Sequence, residues 1–310
     1  GKLIVAYKLW GDKQAVEKDP IKELLKLYIR FHDEAEAKPE MEDEAREWFT
    51  KLENGDQEAK ELWQWFRDES LKEFSRVYDL LDIDFDSYVG ESFYSDKMPA
   101  VIEELKEKNL LVESDGAMIV DLEDSKLPPA LIQKRDGSTL YLTRDLASAF
   151  YRKKIYNFDK SIYVVGAQQE LHFKQCFEII KRMGYDWYKD MVHVQFGMVS
   201  LEEGTMSTRK GRIVFLEDVL NQAIDRTRQI IEEKNPDAEN IDEVAKAVGV
   251  GAVVFQELSN SRIKDYTFSW DRTLSFEGET GPYVQYTHAR CCAVLRKAGQ
   301  PVSADINYEA

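Results

Sequence analysis

Between residues 138 and 199 the hydrophobic pattern switches repeatedly between two periods, and this alternation constrains the fold more than any other feature of the chain. The apolar runs at 161–165 and 191–199 are short, β-branched and nearly continuous, as expected of parallel strands buried on both faces. Amphipathic stretches at helical spacing lie between them, so the order from Ser138 reads strand, helix, strand, helix, strand. Two βα units in series predict an α/β fold containing part of a doubly wound, Rossmann-type parallel sheet.

The rest of the chain is mostly helical in pattern. From 21 to 81 apolar residues recur at helical spacing, as in "IKELLKLYIRFHDEAE". Trp63, Trp65, Phe66, Phe74 and Tyr78 could be read as a base-stacking platform. A packed helical face fits their spacing better, because acidic residues fill the gaps. "DSYVGESFY" reads as strand-like and "KMPAVIEELKEKN" as a helix, followed by short β-rich pieces with turns at Asp115-Gly116, Pro128-Pro129 and Asp136-Gly137. Helices are expected over 216–234, 241–264 and 281–298, the last stopped by Gly299-Gln300-Pro301. The expected division is a helix-rich part at 1–95, a small α/β insertion at 96–140, the parallel-sheet region at 141–210, and helical regions at 211–273 and 274–310.

Composition narrows the partners. A net charge of -16 argues against a broad polyanion-binding surface, so any nucleic-acid contact must come from local basic clusters. Cys176, Cys291 and Cys292 have neither Cys-x-x-Cys spacing nor an even count, which reads as reduced, intracellular cysteines. Four scattered histidines form no metal-ligand pattern. No apolar run reaches the ~18 to 20 residues of a membrane span. The chain opens on "GKLIVAYKLWGDK", without Met or signal-peptide architecture, and reads as the interior of a longer protein.

Ligands of a doubly wound sheet bind outside the carboxyl ends of its strands. Three segments are expected there. In "YLTRD", Thr143 suits a helix N-cap and Asp145 a first helical turn, a role that would by itself explain the carboxylate. Alternatively, Tyr141 and Asp145 point together into a pocket for a cationic ligand. In "VVGAQQELHF", Gly166 allows a tight turn, and Gln168, Gln169 and His172 open a helix whose N-terminus suits phosphate. Taken singly, each is more simply a solvated or capping residue. In "MSTRKG", Ser207, Thr208, Arg209 and Lys210 offer hydroxyls and cations suited to a transferring phosphoryl group, although a basic tripeptide is common on any surface loop.

Taken in order, these segments resemble the class I aminoacyl-tRNA synthetases, and more narrowly the arginyl-tRNA synthetases. "TMSTRKG" is similar to the Lys-Met-Ser-Lys-Ser loop of that class, which helps bind ATP and stabilises the leaving pyrophosphate. "LSFEGETGPYVQYTHARCCAVLRKAG" resembles the first helix of the family's anticodon-binding domain, which would make 211–273 a stem-contact region and 274–310 the start of that domain. The resemblance implies arginine contacts at Tyr141, Asp145 and Gln169, and ATP contacts at His172, Met206, Ser207 and Lys210. Catalytic charge stabilisation would fall to Ser207, Arg209 and Lys210, since Thr205 and Thr208 stand where the class has lysines. It further implies ATP as substrate with Mg2+ as counter-ion, L-arginine and tRNA(Arg) as partners, tRNA required for the first step, and no bound metal of the protein's own. The full-length protein is expected to be monomeric and cytoplasmic, with no membrane partner.

The chemistry agrees with this. Guanidinium is a planar cation with five donors and no acceptor, so it suits a carboxylate flanked by a phenol and an amide oxygen, whereas a lysine ammonium uses that geometry poorly. One departure matters. No two of His32, His172, His193 and His288 have the His-x-Gly-His spacing of the class, and in the family that motif lies before the point where this chain begins. The chain is therefore expected to hold half of an active site and to be inactive alone. The alternative is a catalytically dead binding or regulatory module on the same fold.

Overall fold

The computed structural model describes residues 1–201, 214–235 and 239–299. The chain divides into two units, one built from Gly1–Asp84, Ser200–Ser259 and the chain from Thr267 on, the other from Phe85–Val199 and Asn260–Tyr266.

The first unit opens with five helices, α1 (Lys2–Trp10), α2 (Lys13–Lys18), α3 (Pro20–Ala37), α4 (Glu40–Glu53) and α5 (Gln57–Leu81). Aspartates start three of them: Asp12, Asp19 and Asp56 accept from the backbone N–H three residues on, in α2, α3 and α5. Their apolar stripes meet in a core around Val5, Val16, Leu27, Phe31, Met41 and Trp48. Trp65 and Phe66 pack edge-on against Tyr7, as a helical core face requires, while Phe74 is exposed.

In the second unit a 3-10 turn at Glu91–Lys97 leads into α6 (Met98–Glu107). An antiparallel meander follows, β1 (Leu111–Ser114), β2 (Ala117–Val120) and β3 (Ala130–Gln133). Asp115 and Gly116 form its two-residue first turn at φ of 51° and 78°, the positive values that such a hairpin demands. Then come α7 (Tyr141–Tyr156), β4 (Ser161–Gly166), α8 (Glu170–Arg182) and β5 (Met191–Phe196). β4 and β5 pair in parallel, Ser161 opposite Met191 through Gly166 opposite Phe196, with α8 as the crossover. This is the expected βαβ unit of a Rossmann-type sheet. Its inner face is covered where Phe173 of α8 packs on Tyr163 and His193. On the outer face Ile162 and Val164 are 58% and 64% exposed, so the pair is not buried on both faces as its apolar runs led one to expect.

Three expectations change. "DSYVGESFY" forms no strand, because Phe93 and Tyr94 turn in to pack edge-on against Tyr151 of α7. No strand leads into Tyr141 either. A single bridge joins Thr139 to Gln133, and starting the helix at Tyr141 buries Leu142, Leu146 and Ala149 in the core of this unit. The expected strand at 191–199 stops at Phe196, where the Gly197 and Met198 N–H groups turn to the Arg262 carbonyl and the Asp265 carboxylate at 2.8 and 2.6 Å. A Cβ on Gly197 would lie 2.5 Å from the Lys264 backbone, which explains the glycine.

The first unit resumes with α9 (Leu216–Lys234), α10 (Ile241–Ser259), α11 (Trp270–Thr273) and α12 (Gly281–Ala298). α9 and α10 pack along small residues, with Ala223 and Ala245 fully buried. A Cβ on Gly249 would sit 2.7 Å from the Ile224 nitrogen. Helix propensity alone would make Gly249→Ala stabilising by about 1 kcal/mol. Overpacking against backbone costs about 1 to 3 kcal/mol and should win, lowering the urea midpoint at constant m-value. A raised midpoint would refute the close approach.

In the second unit the Tyr185 hydroxyl donates to Glu104 Oε1 at 2.5 Å, tying the end of the α8 segment to α6. That hydrogen bond first, and burial second, push the phenol from 10.0 up to about 12. A raised folded-state value means that this stabilisation is complete below pH 10 and is lost as pH rises to about 12. Between those values the urea midpoint of the wild type should fall more steeply than that of Tyr185→Phe. Parallel curves would contradict the linkage.

Candidate active site

The site is built on the N-terminal ends of α7 and α8, and with α7 begun at Tyr141 the Asp145 carboxylate falls one turn in, not in the first turn that its spacing suggested. Leu142, Leu146 and Ala149 anchor α7 in the core, and the buried Thr143 hydroxyl donates to the Ile132 carbonyl of β3 at 2.6 Å. Thr143 is thus not the N-cap expected from its spacing. Leu140 occupies that position and offers no side-chain cap. With the helix begun at Tyr141, Tyr141 and Asp145 lie four residues apart on one face. Tyr141 is 70% exposed.

β4 ends at Gly166, a 3-10 turn covers Ala167–Gln169, and α8 begins at Glu170, so Gln169 stands at the carboxyl end of a parallel strand. His172 follows in the first turn of α8 and faces α7. Its Nε2 lies 2.6 Å from Asp145 Oδ2, with the imidazole 18% and the carboxylate 36% exposed. An ionised carboxylate only accepts hydrogen bonds, which puts the proton on Nε2. Two of the residues singled out in sequence are therefore joined directly. A third, Tyr141, lies one turn before Asp145, and Gln169 lies one turn before His172.

Cys176, one turn after His172, is buried, and burial followed by the charge of Asp145 pushes its thiol well above the usual range. A thiol held protonated in this way is unsuited to nucleophilic chemistry. At the mouth of α8, the Glu170 carboxyl is held below its ordinary value by Lys174 and by Gln195. His193 has a structural role, with Nε2 hydrogen-bonded to the Val165 carbonyl at 2.9 Å. Among the described residues no three His, Cys, Asp or Glu side chains converge as a metal site, and no helix is long and apolar enough to cross a membrane. Met206, Ser207, Arg209 and Lys210 lie outside the described residues. The Asp145–His172 pair was not foreseen from sequence; the only signal was the spacing of His172 and Cys176, which puts both on the α7-facing side of α8.

The profile of the family described as tRNA synthetases class I (R), catalytic domain, matches residues 1–270. The chain is 76% identical over 308 residues to an arginine--tRNA ligase of Clostridioides difficile, covering 99% of this chain and 54% of that protein. A second such ligase, from Halothermothrix orenii, is 69% identical over 298 residues, 96% of this chain and 53% of that one. The chain thus spans about half the length of the curated relatives it matches. The solved arginyl-tRNA synthetase of Thermus thermophilus superposes with a TM-score of 0.82 at 25% identity, over 98% of this chain and 57% of that one.

Proposed function

The chain belongs to the family of class I tRNA synthetase (R) catalytic domains, and on that premise we propose that it serves the ATP-dependent activation of L-arginine and its transfer to tRNA(Arg). The observation that carries the reading is the Asp145 carboxylate, fixed on a well-anchored helix turn beside the carboxyl end of a parallel strand.

In this proposal Asp145 pairs with the guanidinium, the Tyr141 hydroxyl and the Gln169 amide oxygen accept from its remaining donors, and a neutral analogue leaves the carboxylate unpaired at a cost of roughly 1 to 3 kcal/mol. The arginine carboxylate attacks the α-phosphate of ATP in line, giving arginyl-adenylate and pyrophosphate. A hydroxyl at the tRNA 3' end then displaces AMP to form the ester. No protein nucleophile is required, and the work is positioning and electrostatic stabilisation, with Met206, Ser207, Arg209 and Lys210 on the phosphate side. Magnesium would accompany ATP as its counter-ion, and no step is assigned to it. The setting proposed is the cytoplasm, with the full-length protein a monomer.

The test splices this chain into the Clostridioides difficile relative in place of the 308 residues it matches. The chimera should carry out arginine-dependent, tRNA-stimulated ATP–pyrophosphate exchange, and the chain alone should not. Asp145→Ala should lower exchange by roughly 100-fold or more, since it removes the charge partner of the guanidinium. Near wild-type exchange would sink the assignment. Lys210→Ala should lower kcat with little change in arginine KM, the signature of a contact made in the transition state. A pure arginine KM effect would contradict it.

A further inference from the structure

The resemblance puts His172 on the ATP side. The geometry points elsewhere: we propose that His172 is a positioning residue for arginine recognition, holding the Asp145 carboxylate in the one orientation that accepts a planar guanidinium. This inference rests on the arginine reading of Asp145 given above.

A carboxylate on a helix surface rotates among staggered and broad terminal wells, and each rotation re-aims both oxygens. Two parallel N–H···O bonds from a guanidinium tolerate little of that freedom. Here Oδ2 is held by Nε2 of His172 at 2.6 Å. The imidazole is itself held, with its ring edge-on to the buried Phe173 at 5.2 Å between centroids. The hydrogen bond spans α7 and α8, so it also fixes the turn bearing Tyr141 and Asp145 relative to the turn bearing Gln169. Among the described residues Oδ1 has no hydrogen-bond partner, and Oδ2 keeps a second lone pair, so both oxygens can still accept. The carboxylate remains 36% exposed beside a histidine only half as exposed. The side not taken by His172 is the one assigned here to the ligand.

The test uses the chimera and compares two substitutions. His172→Phe keeps a flat ring against Phe173 but has no N–H. His172→Gln keeps an N–H donor at similar reach. If His172 acts through Asp145, the Phe variant raises the arginine KM roughly 10- to 100-fold, as expected for loss of a hydrogen bond to a charged group. Its kcat and ATP KM stay close to those of the unsubstituted protein, and the Gln variant returns the arginine KM towards that value. A raised ATP KM in the Phe variant overturns the proposal in favour of the ATP side. Equal effects of both variants, or none from either, overturn it too, because the N–H would then not matter. If the unsubstituted chimera shows no arginine-dependent exchange, the functional reading itself fails and this inference falls with it.

Discussion

The Thr143 hydroxyl bonded to the Ile132 carbonyl, with Leu142 and Leu146 buried on either side, determines where α7 begins and so where everything useful on it points. A shift of α7 by one residue in register would turn Asp145 by about 100° away from its present bearing. The hydrogen bond is buried, and a buried carbonyl left unpaired costs about 1 to 3 kcal/mol, so the register is strongly preferred over its neighbours. On α8 the same role falls to Phe173, Cys176, Ile179 and Ile180, which lie on the covered side and leave Gln169 and His172 at the open end. The N-terminal ends of the two helices meet through a short contact between a carboxylate one turn into α7 and an imidazole in the first turn of α8.

The chain accordingly separates support from chemistry. Tyr163, Phe173 and His193 pack between the sheet and α8, and Phe150, Tyr185 and Trp187 pack edge-on behind α7. These rings carry no role in the proposed reaction, yet they hold the two helices that do. Burial keeps Cys176 protonated and removes the one thiol near the site from covalent chemistry. What remains at the surface of the site is acceptor-rich, as the proposed ligand, a cation with five donors, would require.

Much of this was legible in sequence. The β-branched runs at 161–165 and 191–199 marked the parallel pair, although the burial on both faces that such runs suggest is not what the structure shows, since Ile162 and Val164 are exposed. The helices of the first 81 residues were legible from their 3.6-residue period, and Asp12, Asp19 and Asp56 signalled their starts. The stretch "STLYLTRD" misled, because Thr and Tyr have strong β-propensity and only burial of Leu142 and Leu146 overrides it. Thr143 has the composition of a cap, but its partner lies 11 residues back on another element, which no local rule detects. The pairing of Asp145 with His172 spans 27 residues and depends on the angle between two helices. Spacing placed each residue at a helix start without revealing that they touch.

The partial exposure of the Asp145 carboxylate bears on the strength of the site. Attraction between unit charges about 4 Å apart is near 1 kcal/mol in bulk water and near 4 kcal/mol at the effective dielectric of a protein surface. Asp145, with its carboxylate 36% exposed, lies towards the watery end of that range. Any layer that dries the surroundings of that carboxylate would sharpen it without moving an atom of it. In the proposed reading, the choice between guanidinium and its neutral or flexible imitators would then depend partly on solvent exclusion.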